Sequence, residues 1–144
     1  MSRAVFPLAQ PGVEAEAAER ALCRDAAWDY EADRPVFRGG EPVACTGREA
    51  VLAWCWNALH TPRFRHEIYS WAYGCEVESL IGTAYSEALK RSEAARYVRE
   101  ALEPNPYLTG VSNASAAFDG DTGHLTVSCE IETVYGTEEV TWDV

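Results

Sequence analysis

The chain has 144 residues, of which 47% are hydrophobic and 24% charged, a composition typical of one globular domain rather than a disordered segment. Its formal net charge is -11, and a chain this acidic repels phosphate backbones, so we expect no nucleic-acid partner. We expect neither a signal peptide nor a membrane contact, because no apolar run is long enough for either.

Five cysteines are spread along the chain, and their pattern predicts reduced thiols. The count is odd, the spacings are wide and no C-x-x-C pair occurs, which argues against a disulfide framework. We expect the thiols to pack as small hydrophobic side chains in a cytosolic protein. The histidines follow no H-E-x-x-H or zinc-type spacing, so the sequence predicts no metal and no other cofactor.

The N-terminal part divides into an arm and the start of a folded domain. Residues 1–25 are rich in Ala and Glu, and we expect an arm or a short helix over residues 13–23. Residues 26–144 are expected to form a single domain. Its first stretch, "AWDYEADRPVFRGGEPVACTG", contains two prolines and Gly39-Gly40, which predicts two short extended pieces joined as a hairpin.

The first long helix is predicted in "TGREAVLAWCWNALHTP". Apolar residues recur there at helical spacing from Val51 to Leu59. Thr46 and Glu49 stand at the spacing of a capping box, in which each side chain bonds a free backbone N–H at the helix start. Pro62 is expected to end the helix, because the residue before a proline avoids helical geometry.

A second long helix is predicted after a short helical turn in "EVESLIG". It occupies "AYSEALKRSEAARYVREAL", where Ala88, Ala95, Val98 and Leu102 fall on one side. Pro104 is expected to end it.

The last third of the chain has the pattern of β-strands. "GVSNASAAF" and "HLTVSCEIET" flank the turn-rich "DGDTG", and "EVTWDV" follows the turn "VYGTE". Apolar and polar residues alternate from Leu125 to Ile131, and Val140, Trp142 and Val144 share one face of the last strand. The sequence therefore predicts an α+β fold, with two main helices packed on a small antiparallel sheet that includes a C-terminal three-stranded meander.

The last predicted strand is expected to lie at an edge of that sheet. Such a strand leaves N–H and C=O groups unpaired unless something covers them. Glu138, Glu139 and Asp143 are charges of the kind that protect an edge. A partner chain that adds a strand would use the same unpaired groups, and the sequence leaves both possibilities open.

Residues 61–76, "TPRFRHEIYSWAYGCE", concentrate chemically versatile side chains between the two helices. Arg63 is expected to form a more buried ion pair than Arg65, since it follows the proline that stops the helix. Gly74 is expected to allow a backbone turn that a side chain would block. The stretch also contains amphipathic or apolar side chains of types common at protein interfaces: Ile68, Tyr69, Trp71 and Tyr73.

Catalytic interpretations of the same stretch lack supporting groups. Cys75 has no recognisable base or orienting group beside it. A carboxylate pair for glycan hydrolysis can be drawn from Glu67, Glu76 and Glu78, but with 23 acidic residues such pairs arise by chance. We therefore predict a protein that is not an enzyme. The alternatives are a small cell-wall glycan hydrolase and a cytosolic adaptor that binds peptides at its sheet edge.

The order of several motifs resembles a known family. A "G-R-E-A-V" helix precedes "L-x-T-P-R-F", "I-Y-S-W-x-Y-G" and "L-I-G", and a helix that ends in "A-L-x-x-N-P-Y-L-x-x-V" precedes the C-terminal hairpin. This order resembles the small baseplate wedge proteins of contractile tails, relatives of the sheath initiator, as found in phages and phage-tail-like particles of Gram-positive bacteria. The resemblance starts near Trp28 and is most specific over residues 47–82.

The resemblance implies a structural role between the baseplate and the sheath of a contractile tail. It implies about six copies around the tail axis and contacts with other baseplate wedge proteins, the tail sheath protein and tube-initiating proteins. It also implies assembly in the bacterial host cytoplasm and a final place in the baseplate of a virion or tail-like particle. Family members resemble a sheath domain that exchanges β-strands with its neighbours. The residues that would pair with the sheath here are Val140, Thr141, Trp142, Asp143 and Val144.

The resemblance also points to residues that would dock on the wedge. Members carry a Glu-Pro-Arg motif after the long helix, which Glu103 and Pro104 match here, whereas Asn105 replaces the arginine. Together with the aromatic stretch, this predicts a docking surface that consists of Arg63, Tyr69, Trp71, Tyr73, Gly74, Glu103 and Pro104.

Overall fold

A computed structural model describes residues 20–144, which contain short N-terminal strands, two α-helices and a C-terminal sheet. Residues 1–19, which hold most of the predicted arm or helix, lie outside the described residues, and residues 20–23 at its end are not helical. The elements are β1 (Arg24–Ala26), β2 (Trp28–Asp29), β3 (Arg34–Pro35), β4 (Phe37–Arg38), β5 (Glu41–Pro42), β6 (Ala44–Thr46), α1 (Arg48–His60), a 3-10 helix (Val77–Leu80), α2 (Glu87–Leu102), β7 (Leu108–Phe118), β8 (Leu125–Thr133) and β9 (Gly136–Asp143).

The first six strands form short antiparallel pairs. β1 pairs with β6, where Arg24 is opposite Thr46, and the hairpins β2–β3 and β4–β5 lie between them in sequence. Gly39 and Gly40 join β4 to β5 with φ values of 63° and 84°, the left-handed conformations that a type I′ turn requires. The predicted hairpin is confirmed here, within a ribbon of more strands than the sequence indicated.

Helix α1 matches the predicted helix but begins without the predicted capping box. Gly47, with φ 65°, occupies the N-cap position, and no side chain among residues 20–144 caps the helix. Thr46 belongs to β6, so strand pairing with Arg24 fixes it one residue before the cap. The capping-box prediction was therefore wrong. At the other end Thr61 is extended, as expected for the residue before Pro62.

Helix α2 confirms the second predicted helix and packs mainly against β7. At its start the Ser86 hydroxyl accepts the N–H of Leu89 at 3.3 Å, a side-chain cap. The buried face differs from the predicted one, since Ala88 is exposed and Ala95 only half-buried. Only the C-terminal part of the helix reaches the core, where its buried residues are Ala94, Val98, Ala101 and Leu102.

The C-terminal meander has the strand order β7-β8-β9, with both pairs antiparallel. Leu125, Val127, Cys129 and Ile131 of β8 are buried and alternate with more exposed residues, as predicted. The α+β fold, with two helices and a three-stranded antiparallel meander, is thereby confirmed. β8 is the central strand, so its buried side chains form one wall of the hydrophobic core.

All five cysteines are buried and unpaired, as the sequence predicted. Burial raises the pKa of Cys129 to about 11, so this thiol stays protonated at neutral pH. The cysteines therefore act as small hydrophobic side chains in the core.

Candidate functional site

Residues 61–76, which we call the corner, form a loop whose two ends are joined by main-chain hydrogen bonds. The N–H of Arg63 donates to the carbonyl of Cys75 at 3.1 Å, and the N–H of Cys75 donates to the carbonyl of Thr61 at 2.9 Å. These two bonds form a parallel bridge between Pro62 and Cys75. The loop is therefore closed at its base independently of the side chains at its tip.

Gly74 is the residue that makes this closure possible. Its φ is 104°, a conformation that side chains disfavour. A Cβ atom at this position would lie 2.8 Å from the carbonyl oxygen of Thr61 and 2.9 Å from the Cα of Arg63. The expected backbone turn that excludes a side chain is confirmed.

Arg63 braces the interior of the corner. Its Nε donates to the carbonyl of Trp71 at 2.7 Å, and its Nη1 lies 3.3 Å from a carboxylate oxygen of Glu76. The Arg65–Glu78 pair is longer, at 3.5 Å, and both its side chains are more than half exposed. The prediction that Arg63 forms the more buried pair is confirmed.

The tip of the corner presents apolar side chains to solvent. Ile68 is 87% exposed, Trp71 82% and Phe64 59%, and the Phe64 and Trp71 rings meet edge to face with centroids 5.7 Å apart. Phe64 has a φ of 64°, which a bulky residue rarely adopts and which turns the chain at this point. Exposed apolar side chains concentrated in one loop are typical of a site that contacts another protein.

Two predicted docking residues of the corner differ in how they are placed. Tyr73 is half-buried and packs edge to face on Trp54, with centroids 5.7 Å apart, whereas Tyr69 is exposed and lies 4.6 Å from the Tyr73 ring. Tyr73 therefore anchors the corner to α1, and Tyr69 extends this cluster of rings towards solvent.

The structure brings part of the Glu103–Pro104 segment next to the corner. Pro104 and Tyr73 line one groove of about 380 Å³ between the corner and the α2–β7 connection. Glu103 is exposed at the end of α2. Asn105 is buried, and its side-chain oxygen accepts the N–H of Tyr107 at 2.9 Å, so this residue turns the chain towards β7.

The second candidate surface is β9, which hydrogen-bonds β8 on one side only. The N–H of Val144 donates to the carbonyl of Leu125 at 2.8 Å. In an antiparallel pair, successive residues turn their N–H and C=O groups alternately towards and away from the partner strand, so this bond shows which residues of β9 face β8. The N–H and C=O groups of Thr137, Glu139 and Thr141 therefore point away from β8. No group in residues 20–144 forms a hydrogen bond with them.

The inner face of β9 packs on the core and on α1, as the alternation predicted. Val140 is buried, and Trp142 and Val144 are half-buried. The Trp142 ring meets that of Trp56 edge to face, with centroids 5.6 Å apart.

Contacts from α1 that the sequence did not reveal hold the end of β9. His60 stacks on Trp56 with centroids 4.0 Å apart, and its Nε2 lies 2.9 Å from the carbonyl oxygen of Asp143. At the other end of α1, Arg48 pairs with Glu138 at 2.6 Å. Helix α1 therefore runs alongside β9, and His60 forms a hydrogen bond with the last carbonyl that points outward from the edge.

Asp33 fixes the ring against which His60 stacks. One of its carboxylate oxygens accepts the indole N–H of Trp56 at 2.8 Å and that of Trp28 at 3.1 Å. The bond from Trp56, followed by the bond from Trp28, lowers the pKa of the Asp33 carboxyl below its usual value. The two tryptophans lie on opposite sides of Asp33 in sequence, and neither belongs to a motif that could have indicated the contact.

The side chains considered above for catalysis are buried, ion-paired or exposed on the loop. Burial raises the pKa of Cys75 to about 11, which leaves its thiol protonated at neutral pH. Glu76 is paired with Arg63, and Glu67 is exposed on the loop. Within residues 20–144 no three Cys, His, Asp or Glu side chains are grouped to hold a metal ion, and neither α1 nor α2 is long and apolar enough to cross a membrane.

Comparison with known proteins identifies the family. The family model of the contractile injection system sheath initiator matches residues 24–136. The chain belongs to the sheath initiators. The phage-like element PBSX protein XkdS of Bacillus subtilis (strain 168) is 32% identical to it over 96 residues, which are 66% of this chain and 67% of that protein.

As a sheath initiator, the chain is a structural component of a contractile tail, and its family implies contact with sheath and baseplate components. The matched residues include the whole corner and the Glu103–Pro104 segment. They end at residue 136, where β9 begins. The roles of individual residues in docking and in strand pairing remain predictions.

Proposed function

We propose that this sheath initiator links the baseplate wedge to the tail sheath and starts sheath polymerisation by β-strand pairing. The outer side of β9, which no group of residues 20–144 hydrogen-bonds, supports this proposal. Thr137, Glu139 and Thr141 offer a row of N–H and C=O groups that a strand of the sheath protein can extend. Val140, Trp142 and Val144 hold β9 on the core, so the edge is presented by a fixed strand.

The corner is the surface that we propose to dock on neighbouring baseplate wedge proteins. Its exposed Ile68 and Trp71 supply apolar contact area, and its closed base keeps them in place. The groove beside Tyr73 and Pro104 extends this surface, and Glu103 directly precedes Pro104 in sequence. Tube-initiating proteins are further neighbours in this arrangement. About six copies around the tail axis would let individually weak contacts act together.

This function is non-enzymatic, and it places the protein in the baseplate of a virion or tail-like particle after assembly in the host cytoplasm. A glycan hydrolase would depend on its carboxylates, so a Glu67→Gln, Glu76→Gln double variant separates the two functions. We expect this variant to build functional tails. Loss of a measurable glycan-cleaving activity in the variant would favour the hydrolase.

Strand pairing is tested by removing one outward N–H from β9. Thr141→Pro lacks that N–H, and an edge position tolerates proline better than a central strand does. We expect particles with this variant to contain baseplates without sheath in electron micrographs, whereas Thr141→Ala, which keeps the N–H, assembles normal sheath. Sheath of normal length on Thr141→Pro particles would contradict initiation at β9. Deletion of residues 140–144 is less informative, because it also removes the buried Val140 side chain.

Docking through the corner is tested with Trp71→Ala. Trp71 is highly exposed, so we expect a folded chain that is missing from purified baseplates when these are probed by immunoblot. Phe37→Ala is the matched control, because Phe37 is 60% exposed but lies on β4, outside the corner. Equal incorporation of both variants would contradict docking by the corner.

A further inference from the structure

The charges of this chain are distributed unevenly between the helices and the C-terminal sheet. All 12 Lys and Arg residues lie at or before Arg99, so strands β7, β8 and β9 contain none. The same strands carry five carboxylates: Glu130, Glu132, Glu138, Glu139 and Asp143. The sheet therefore has no basic residue of its own to neutralise them.

One acidic pair stands directly at the edge of the sheet. Glu130 of β8 is opposite Glu139 of β9, at a position of the ladder where side chains approach most closely. Like charges directly opposite each other destabilise a sheet. Glu130 accepts a bond from the Asn113 amide at 3.0 Å, but no Lys or Arg in residues 20–144 forms an ion pair with either carboxylate.

The other face of the same strand is already neutralised. Glu138 points towards α1 and pairs with Arg48. The uncompensated charge is thus confined to the solvent face, where Glu139 and Asp143 line the edge of β9 and both are exposed. A cationic side chain on an added strand would lie beside Glu139 on this face.

The edge also limits where an added strand can pair. Within residues 20–144 the outward groups of Thr137, Glu139 and Thr141 have no hydrogen-bond partner, but the carbonyl of Asp143 is already bonded by His60. An added strand therefore pairs along residues 137–141, with Glu139 at the centre, unless it displaces His60.

We propose that β9 selects a partner strand with alternating Lys or Arg and apolar residues, whose cationic side chains lie beside Glu139. This proposal rests on the proposed strand pairing and specifies its partner. The same charges oppose pairing between two copies of this chain, because a second β9 would bring further carboxylates to an acidic edge.

The test uses two fluorescent peptides, one that alternates valine with lysine and one that alternates valine with glutamate. Binding to the full chain is followed by fluorescence anisotropy. We expect the lysine peptide to bind and the glutamate peptide to bind up to about fivefold more weakly, the upper end of the effect of one cross-strand charge pair. The preference should shrink at about 1 M salt, where the screening length falls to about 3 Å.

Three variants separate the contributions. Glu139→Lys should lower or reverse the preference for the lysine peptide, whereas Glu31→Lys makes the same charge change in an exposed loop outside the sheet and should leave the preference unchanged. Thr141→Pro should weaken the binding of the lysine peptide, because an outward N–H is lost.

Each other outcome overturns the proposal in a recognisable way. Equal binding of both peptides, lost in Thr141→Pro, would retain strand pairing but remove charge selection. Lysine-peptide binding that Thr141→Pro leaves intact would indicate adsorption to an acidic surface, and absence of binding up to millimolar peptide would reject the cationic partner. Self-association of the wild-type chain that Thr141→Pro abolishes would place a second copy on the edge. Electron microscopy of Thr141→Pro particles tests the proposed function independently of these results.

Discussion

The corner and strand β9 are both exposed surfaces, but they are held in place by different kinds of contact. The corner is closed by main-chain bonds between Arg63, Cys75 and Thr61. Strand β9 is instead held by side chains of α1, through the Trp56 ring on Trp142 and through His60 at the carbonyl of Asp143. A loop closed by its main chain can vary the side chains at its tip without losing its shape. The placement of β9, in contrast, depends on the identity of side chains that are distant in sequence.

The largest expected effect comes from breaking the main-chain closure. Gly74→Ala places a Cβ in contact with backbone atoms on the opposite side of the loop and also strains a left-handed position. We expect a loss of about 3 kcal/mol in the free energy of unfolding, which combines strain with overpacking. Urea unfolding measures the total, and hydrogen exchange at the amides of Arg63 and Cys75 shows whether the corner opens first.

Gly82→Ala is the matched control for this change. Gly82 also has a positive φ, 76°, but apart from its chain neighbours no described residue has an atom within 4 Å of the added Cβ. Gly82→Ala should lower the free energy of unfolding only through backbone strain, by about 1–2 kcal/mol. Equal losses for the two variants would mean that the close approach at Gly74 has no energetic consequence.

An intermediate effect is expected when the carboxylate of Asp33, which fixes the Trp56 ring against β9, is replaced. In Asp33→Asn the new side chain also tolerates the observed φ of 47°. The substitution removes the negative charge of the group that accepts both indole N–H bonds. We expect a loss of about 1 kcal/mol at neutral pH, reduced somewhat because Asp33 is exposed.

The pH dependence of this loss identifies its cause. The pKa of Asp33 is lowered on folding, so its contribution is fully present above the pKa of the unfolded state, near 3.8, and disappears as the pH falls through the lower pKa of the folded state. The difference between wild type and Asp33→Asn should therefore shrink below about pH 4. A difference that stays constant into strong acid would exclude the charge as its source.

The smallest expected effect is at the end of β9. His60→Phe preserves a ring on Trp56 but removes the nitrogen that faces the Asp143 carbonyl. We expect a global loss below about 1 kcal/mol and faster hydrogen exchange of the Val144 amide, which donates to Leu125. Unchanged exchange at Val144 would show that the strand end does not depend on His60.

Local patterns were sufficient for the elements that lie within one stretch of sequence. The apolar periodicity from Val51 to Leu59 gave α1, the alternation in β8 gave its buried face, and Gly74 indicated the tight turn of the corner. These features depend on neighbours in the chain, so the sequence contains the information that specifies them.

The predictions that were wrong or missing depend on contacts between residues far apart in the chain, and they include the buried face of α2. The capping box at Thr46 was wrong because β6 pairs with β1, and that pairing gives the N-cap position to Gly47. Composition and periodicity also gave no indication that Asp33 would bind two indoles.

The sequence by itself determined the helices, the alternating strands, the buried thiols and, through its motifs, the sheath-initiator family. The tertiary structure decided which side of β9 is open, which carbonyl His60 closes and that Glu130 faces Glu139 across the ladder. The physical reason is that periodicity reports which face of an element is apolar. The register and the neighbours of an edge strand are set instead by contacts between residues far apart in the chain.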